Sequence, residues 1–377
     1  MKIAQVAPLY ESVPPQCYGG TERVVSYLTE ELVRQGHEVT LFASGDSITS
    51  GSLVPCSPRA LRLDKTCIDP LAHHFCMLER VLRKVDEFDL VHFHIDYLHF
   101  PFTRHLGFPH LTTLHSRLDL PDLRPLFREF RDMPLVSISN AQRIPLPWAN
   151  WIGTVYHGLP ENIYRFFQKP GNYLAFLGRI SPEKRPDMAI AIARRAGMPL
   201  KIAAKIDKVD REYFEQKIRP LLKGPWVEFV GEINDREKEE FLGNAHALLF
   251  PIDWPEPFGL VMIESMACGT PVIAFRKGSV PEVMENGLTG YVVEDLKSAA
   301  LAVEQISSLD RSRCRRIFEE RFSVSKMAQD YLALYRQLEL EQEEWPIGSF
   351  QAKETLTFVN KRPAPPSGIF RGDPRNM

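Results

Sequence analysis

The sequence is poor in cysteine and contains no long apolar run. Its six cysteines, among 377 residues, form no C-x-x-C pair and no regular spacing, so neither a disulfide framework nor a cysteine metal site is predicted. Free thiols in a reducing cytoplasm are the simplest interpretation. No apolar run approaches the roughly 18 residues of a membrane span. The start of the chain, residues 1–7, is short and polar for a signal peptide and predicts a strand.

An excess of charge and two common motifs are also missing. The formal net charge of −2 argues against nucleic acid as the main partner. No G-x-G-x-x-G follows a predicted strand, which disfavours a nicotinamide-dependent oxidoreductase. No Asp-x-Asp stands at a strand end, so no site for Mg²⁺ or Mn²⁺ is predicted. The length of the chain predicts two domains.

Strands and helices alternate along the chain, which predicts α/β architecture with two parallel sheets covered by helices on both faces. The first set of predicted strands is 3–7, 39–43, 90–94, 110–114, 136–139 and 154–157. The second set is 173–178, 200–204, 227–230, 247–250, 272–275 and 291–293. Predicted helices are 22–35, 187–196, 210–222, 236–244 and 325–343, and 44–70 is predicted to be a loop.

These patterns divide the chain into four parts. Residues 1–168 are predicted to form a first Rossmann-like domain and residues 169–324 a second. A charged segment at 161–172 is the best linker between them. Residues 325–344 predict a closing helix that packs back on the first domain. Residues 345–377 are rich in Pro, Gly, Arg and Lys and predict a disordered tail.

The segment 256–274 is the most informative part of the sequence. It follows an apolar strand, and Pro251, Pro255 and Pro257 keep the intervening chain out of a helix. A helix can begin near Leu260, after which the apolar run at 272–275 returns as a buried strand. The sequence therefore predicts a strand, a loop, a helix start and another strand.

This loop and helix carry groups that suit a sugar nucleotide. The backbone amides of Phe258, Gly259 and Leu260 lie near the helix start, where they have no carbonyl partner and carry the positive end of the dipole. Gly259 has no Cβ, so a ligand can approach the backbone. The carboxylates of Glu256 and Glu264 can accept sugar hydroxyls while the amides face an anion.

Two basic residues and two glycines stand at other predicted strand ends. Arg179 and Lys184 follow the first strand of the second domain, where open parallel sheets bind ligands, and both suit a diphosphate. Gly19 and Gly20 follow the first strand of the chain and precede a helix, so backbone there can approach a phosphate or sugar. A glycine pair is also ordinary in turns.

Histidines give two competing hypotheses in the first domain. His115 follows the strand 110–114, either as a structural group or as a residue facing the site. His92 and His94 point to one face of a strand and, with Asp96, could ligate a metal. No further ligand motif recurs downstream, so metal binding is the weaker hypothesis.

Taken together, these motifs resemble the family 4 (group 1) retaining glycosyltransferases, over about residues 1–342. Residues 1–25 are similar to the subgroup typified by an avilamycin-pathway enzyme. The resemblance implies the GT-B fold: two Rossmann-like domains facing across a cleft, with a C-terminal helix crossing back to the first domain. Two departures are His157-Gly158, where the family has Asn-Gly, and Ser279, where it has a second glycine in Gly-Gly-x-Pro-Glu. Both leave the donor sugar open.

The resemblance assigns roles by position. The implied catalytic residues are His115, Arg179, Lys184 and Glu256. The implied donor-binding residues are Gly19, Gly20, Arg179, Lys184, Glu256, Pro257, Phe258, Gly259, Leu260 and Glu264. Glu256 would hold sugar hydroxyls, Glu264 the ribose, and His115 would face the transferred sugar. No metal and no cofactor is expected, because the nucleotide-sugar is a substrate.

The expected function is therefore a cytoplasmic, metal-independent, retaining transfer of a hexose-type sugar from a nucleotide-diphosphate donor to an acceptor hydroxyl. A UDP- or GDP-sugar is the expected donor. The acceptor would be a saccharide, a lipid-linked molecule or a small molecule, with contact at a membrane surface left open. The alternatives are an inactive sugar-nucleotide binding protein and a metal-dependent hydrolase that uses His92, His94 and Asp96.

Overall fold

The computed structural model describes residues 1–16 and 19–344. The tail predicted at 345–377 lies outside the described residues. Among the described residues, no helix combines the length and apolarity that a membrane crossing requires.

The first seven strands form one parallel sheet. They are β1 (Lys2–Val6), β2 (Glu38–Ser44), β3 (Ser52–Ser57), β4 (Leu90–Phe93), β5 (His110–Thr113), β6 (Leu135–Ser137) and β7 (Trp151–Thr154). Their order across the sheet is β3-β2-β1-β4-β5-β6-β7, with parallel pairing throughout. The strand order reverses between β1 and β4, and the crevice outside the carboxyl ends of such strands is where open sheets bind ligands.

The remaining six strands form a second parallel sheet. They are β8 (Leu174–Arg179), β9 (Leu200–Lys205), β10 (Val227–Gly231), β11 (Ala247–Phe250), β12 (Val272–Phe275) and β13 (Gly290–Val293). Their order is β10-β9-β8-β11-β12-β13. β11 and β12 are buried throughout, which explains why they appear in the sequence as continuous apolar runs. Two parallel sheets of this kind confirm the predicted fold class.

Helices connect the strands and cover the sheets. In the first half they are α1 (Gly20–Arg34), α2 (Pro70–Leu82), α3 (Phe100–Thr103), α4 (Leu123–Glu129) and α5 (Asn140–Arg143). In the second half they are α6 (Pro186–Ala196), α7 (Arg211–Tyr213), α8 (Asp235–Gly243), α9 (Leu260–Ala267), α10 (Val280–Val283), α11 (Leu296–Gln305), α12 (Arg311–Arg321) and α13 (Val324–Glu344).

Three local predictions were wrong. The predicted loop 44–70 contains β3, an edge strand in which Pro55 obscured the pattern. The predicted strand 154–157 lies three residues earlier, as β7, because Trp151 and Gly153 pair with Leu135 and Val136 of β6. The predicted helix 210–222 is a series of short 3-10, α and π turns, since Pro220 interrupts regular helix hydrogen bonding.

The closing helix α13 packs on the first sheet. Met327, Ala328, Tyr331 and Tyr335 share a core with Ile3 of β1 and with neighbouring strand residues. Both tyrosines are fully enclosed. The last helix among the described residues is thus a structural part of the first domain, as expected for the GT-B fold.

Hydrogen bonds join the first domain to the second near residues 139–141. The Glu282 carboxylate accepts the backbone N–H groups of Asn140 at 2.8 Å and Ala141 at 2.6 Å, and the Tyr156 hydroxyl at 3.0 Å. Ser139 donates its hydroxyl to the Pro257 carbonyl at 2.6 Å. These contacts fix the position of the loop that carries Glu256.

Candidate active site

A cavity of about 710 Å³ lies between the carboxyl ends of the two sheets. The first domain contributes Gly19, Gly20 and His115, and the second contributes Arg179, Lys184 and the segment 256–260. Glu264 also lines this cavity. All residues that the sequence indicated for donor binding or catalysis therefore surround one space, although their roles stay predictions.

The loop before α9 has the backbone geometry that the sequence indicated. Gly259 is the N-cap of α9 and has φ 82°, a left-handed conformation that favours glycine. A Cβ at this position would lie 2.8 Å from the methyl of Met262. No side chain caps this helix start. The first amides of α9 therefore face the cavity without a side-chain acceptor, as an anion site requires.

The segment Gly278–Ser279 supports this loop from behind. Ser279 donates its hydroxyl to the Phe258 carbonyl at 2.8 Å and its backbone N–H to the Glu256 carbonyl at 2.9 Å. Gly278 has φ 52°, and a Cβ there would lie 2.3 Å from the Glu256 carbonyl oxygen. None of the residues 278–282 lines the cavity itself. Ser279 instead stabilises the loop that does.

Lys184 and Glu256 form an ion pair inside the cavity. Their side chains are 19% and 10% exposed, so water screens the pair weakly. The Trp254 indole N–H donates to the same Glu256 carboxylate at 2.8 Å, and the Lys184 ammonium lies 5.0 Å from the centre of the Trp254 ring. The lysine is thus held by a carboxylate and an aromatic face, ready to pair with an anionic ligand.

Arg179 lies at the end of β8 among three carboxylates. Its guanidinium pairs with the Glu183 carboxylate. Its Nη1 lies 3.8 Å from Oδ2 of Asp207, and its Nε lies 3.5 Å from Oδ2 of Asp210. Burial raises the pKa of Asp210, while the positive charge of Arg179 opposes that rise. These carboxylates hold the guanidinium at the cavity wall.

Glu264 belongs to an ionic network that crosses the cleft. Lys238 on α8 pairs with Glu264 at 2.7 Å and with Asp235 at 3.3 Å, and Asp235 pairs with Arg23 on α1. The carboxylate predicted to bind ribose is therefore linked through two cations to the first domain. Arg23 directly follows the segment Gly20–Glu22, so this network also positions the glycine pair.

The glycine pair begins α1 at the edge of the cavity. Gly19 is the N-cap residue, without a side-chain cap. A Cβ at Gly20 would lie 3.7 Å from the Leu260 side chain, which shows that this helix start approaches that of α9. Two helix starts from different domains therefore face the same space.

Half-buried His115 lies in a row with the buried residues His94 and His157. Its Nε2 lies 2.9 Å from Nδ1 of His94, and its ring stacks against His157 with centroids 5.3 Å apart. His157 in turn contacts the Phe258 ring edge-to-face at 4.8 Å. Burial lowers the pKa of His115 to about 3, and burial together with the neighbouring imidazoles lowers the pKa values of His94 and His157 well below the usual value. All three rings are therefore neutral at pH 7.

The structure disfavours a metal site at His92, His94 and Asp96, because the ring nitrogens of both histidines already have hydrogen-bond partners. His92 contacts the Tyr335 hydroxyl through Nδ1 and the Thr113 hydroxyl through Nε2, both at 2.7 Å. His94 likewise uses both nitrogens, toward His115 and toward Gln5. Across residues 1–16 and 19–344, no group of three His, Cys, Asp or Glu side chains is arranged to hold a metal ion.

Asp96, considered above as a metal ligand, has an unusual backbone conformation and a raised pKa. Its backbone has φ 51°, and Asp is among the few side chains that tolerate this region. Burial raises its pKa to about 6. It lines the cavity beside Tyr97 on the wall formed by the first domain. A strained residue with a raised pKa in a cleft is a candidate functional group.

Sequence reasoning missed several residues of this site. Lys238, Trp254 and Lys205 line the cavity, but each resembles an ordinary surface or loop residue in the sequence. His157 was noted only as a departure from a motif. The position of Lys205 at the end of β9, in register with Arg179, was a signal that could have been used.

Two family models match most of the chain between them. Residues 18–191 match the model for Glycosyltransferase Family 4, and residues 164–323 match the model for Glycosyl transferases group 1. Between them the two models span residues 18–323, and they support a group 1 glycosyltransferase. The resemblance predicted from segment 256–274 is thus confirmed.

Individual relatives of this glycosyltransferase are distant. An uncharacterized glycosyltransferase of Methanocaldococcus jannaschii is 25% identical over 360 residues, which cover 82% of this chain and 89% of the relative. The chain spans about half the length of the other curated relatives it matches, for example 53% of the N-acetyl-alpha-D-glucosaminyl L-malate synthase of Bacillus anthracis.

Solved structures share the fold. AviGT4, a glycosyltransferase involved in avilamycin A biosynthesis, superposes with a TM-score of 0.72 at 24% identity, covering 90% of this chain and 98% of AviGT4. Anabaena Alr3699/HepE, solved in complex with UDP-glucose, gives a TM-score of 0.69 at 20% identity, with coverage of 89% and 100%. These likenesses establish GT-B architecture for the chain.

The buried histidines make stability sensitive to acid. Burial lowers the pKa values of a group of histidines that the native state keeps neutral, namely His92, His94, His99, His115 and His157. The unfolded chain binds protons at these groups below about pH 6.5, so each costs up to about 1.4 kcal/mol of folding free energy per pH unit below that value. Carboxyls with raised pKa values act oppositely but are fewer: Glu11, Glu22, Asp96 and Asp210.

We therefore expect the melting temperature to fall steeply between pH 6.5 and pH 5 in scanning calorimetry. His99→Gln removes one of the titrating groups and should make the decline shallower, although it also lowers stability at pH 7.5. A melting temperature that stays constant down to pH 5 would contradict the assignment of these histidines as neutral.

Proposed function

We propose that this chain transfers a hexose-type sugar from a nucleoside-diphosphate donor to an acceptor hydroxyl, with retention of anomeric configuration and without a metal ion. One observation carries the proposal: Arg179, Lys184 and the uncapped start of α9 face a single cavity that also contains Glu256 and Glu264. Fixed cations and helix dipoles suit a diphosphate, and the carboxylates suit hydroxyls.

The ion pairs of the cavity support a diphosphate as the ligand. Lys184 is paired with Glu256, and Arg179 with Glu183. These carboxylates keep each cation oriented, and a diphosphate can take over their place with a larger charge. Glu256 is then released to accept sugar hydroxyls, and Glu264 stays held by Lys238 to accept those of the ribose.

The proposed chemistry is a front-face substitution through an oxocarbenium-like state. The bond from the anomeric carbon to the diphosphate oxygen breaks, and the acceptor oxygen bonds to the same face. The departing diphosphate takes the acceptor proton, so no protein base is required. Arg179, Lys184 and the amides of Phe258–Leu260 would stabilise the negative charge that develops on the leaving group.

The donor is proposed to be a UDP- or GDP-sugar, and a UDP-sugar is favoured by the solved complex of Alr3699/HepE with UDP-glucose. The acceptor is proposed to be a saccharide, a lipid-linked molecule or a small molecule that enters beside Tyr10, Asp96 and Tyr97. The proposed location is the cytoplasm, where such donors are available, and no cofactor is required.

A thermal-shift screen over UDP- and GDP-sugars tests the donor directly. The matching donor at about 100 times its Kd should add about 2.7 kcal/mol to the stability of the protein. A sugar linked to a nucleoside monophosphate, which lacks the second phosphate, is the control ligand. A larger shift with that control would contradict the diphosphate site.

Arg179→Ala should weaken nucleoside-diphosphate binding while nucleoside binding stays nearly unchanged. The loss of one charged hydrogen bond costs about 2 kcal/mol, or roughly thirty-fold in affinity. Titration calorimetry with UDP or GDP and with uridine or guanosine measures both. Arg185→Ala is the matched control, because Arg185 pairs with Asp187 and does not line the cavity. Equal losses in the two variants would exclude a specific role for Arg179.

Exhaustive EDTA treatment should leave glycosyl transfer unchanged. Two phosphate charges must be neutralised on the leaving group, and Arg179, Lys184 and the start of α9 are proposed to do so in place of a cation. Turnover with a UDP- or GDP-sugar is measured before and after removal of divalent ions. Loss of activity, with recovery upon addition of one particular ion, would overturn the proposed mechanism.

A second candidate function is an inactive sugar-nucleotide binding protein. The same residues would bind the donor in both cases, so binding alone does not separate them. Release of free nucleoside diphosphate from a bound donor, with an acceptor panel or with water as acceptor, favours the enzyme. A protein that binds the donor tightly and releases no product under any of these conditions is the binding protein.

A further inference from the structure

A chain of buried hydrogen bonds leads from the cavity to the closing helix. It begins at His115, passes to His94 at 2.9 Å and reaches Gln5 of β1, whose side-chain oxygen lies 2.7 Å from Nε2 of His94. The Gln5 amide nitrogen lies 3.3 Å from the Tyr335 hydroxyl. Gln5 and Tyr335 are fully enclosed, and His94 is 2% exposed. Water therefore does not complete these contacts.

The chain continues beyond Tyr335 to a closed end. The Tyr335 hydroxyl lies 2.7 Å from Nδ1 of His92, whose Nε2 lies 2.7 Å from the Thr113 hydroxyl. The chain of hydrogen bonds ends at the Tyr331 hydroxyl, which lies 2.9 Å from the Thr113 hydroxyl. Because each internal member has partners on both sides, the hydrogen-bond direction chosen at one point fixes the direction along the whole chain.

The distances at Gln5 select that direction. A separation of 2.7 Å from the His94 ring suits a carbonyl oxygen that accepts an N–H, whereas 3.3 Å from Tyr335 is too long for an O–H donating to oxygen. The Gln5 oxygen therefore faces His94, and Nε2 of His94 donates. Burial keeps His94 neutral by lowering its pKa well below the usual value, so its Nδ1 carries a lone pair and accepts from Nε2–H of His115.

Among the described residues, nothing pairs with one ring nitrogen of His115. Its Nδ1 is enclosed and has no hydrogen-bond partner among the residues that the structure describes. The ring is neutral, because burial lowers its pKa to about 3, and its Nε2 proton is committed to His94. Because His115 lines the cavity, a ligand hydroxyl that reaches Nδ1 meets an acceptor.

We infer that Gln5 and His94 are positioning residues, which hold His115 as the tautomer with its proton on Nε2 so that Nδ1 accepts a hydrogen bond from a hydroxyl of the bound sugar. The nature of the ligand rests on the proposed function. The Nδ1 lone pair of His115 repels a phosphate oxygen, which is also an acceptor, and pairs only with a group that donates a proton. The site would thus select a donor sugar that keeps a free hydroxyl on the side facing the first domain, and reject an analogue without it.

The tautomer is measured by NMR of the full chain labelled with ¹⁵N-histidine at pH 7.5, without ligand. The His115 signals are assigned by their absence in His115→Asn. We expect a protonated Nε2 and an unprotonated Nδ1. A proton on Nδ1 would overturn the inference, since it would mean that the whole hydrogen-bond chain runs in the opposite direction.

Variants at Gln5 test the positioning role. Gln5→Leu removes the acceptor and should give mixed His115 tautomers and about ten-fold lower turnover with a UDP- or GDP-sugar, while nucleoside-diphosphate affinity stays within two-fold. Gln5→Glu keeps an acceptor toward His94 and should retain the single tautomer and most of the turnover. His99→Gln is the matched control. His99 is as fully enclosed as Gln5, and both of its ring nitrogens are hydrogen-bonded. It lies outside the cavity and outside the chain of hydrogen bonds that leads to His115.

The outcomes separate this inference from the proposed function. If Gln5→Leu leaves one tautomer and full turnover, or if His99→Gln disturbs His115 equally, the positioning role is wrong. If Gln5→Leu does not fold, the spectrum of the unaltered protein still decides the tautomer. A protein that shows the expected tautomer but transfers no sugar would contradict the proposed function alone, because the NMR measurement involves no substrate.

Discussion

The site depends on one carboxylate that joins the two halves of the molecule. Glu282 accepts two backbone N–H groups at the start of α5 and the Tyr156 hydroxyl, and Ser139 of the same segment donates to Pro257. Hydrogen bonds to a charged acceptor are stronger than neutral ones and directional. They set the distance between the sheets where the cavity lies, so residues from both domains can contact one ligand.

Electrostatics inside the cleft follow a single rule: each buried cation has a carboxylate beside it. Lys184 is held by Glu256, and Lys238 by Glu264. A charge buried in this space without such a partner would destabilise the fold, because its lost hydration would not be compensated. The pairing keeps the cations oriented, and it leaves acidic groups where hydroxyls of a sugar nucleotide need acceptors. The same residues thus satisfy stability and recognition.

The features that the sequence predicted correctly are those determined by residues close together in the sequence. The prolines before α9 and the glycine at 259 fix a loop and a helix start, and both are found where they were expected. The network through Lys238 and Asp235 could not be found in this way, because it joins α8, α9 and α1 over more than two hundred positions. Neither could the structural role of Ser279, since its partner Phe258 is 21 positions away. Long-range contacts of single side chains leave no periodic signal.

The histidine row shows why the closing helix and the site form one structural unit. His92 is fully enclosed, and an imidazole without hydrogen bonds there would destabilise the fold by a few kcal/mol. Tyr335 on α13 supplies one of its two partners, and Thr113, which contacts Tyr331, supplies the other. The aromatic rings of these tyrosines pack in the apolar core of the first domain, while their hydroxyls satisfy the polar groups behind His115. The helix that returns from the second domain therefore does more than cover the first sheet, because the hydrogen bonding of His115 ends on its side chains.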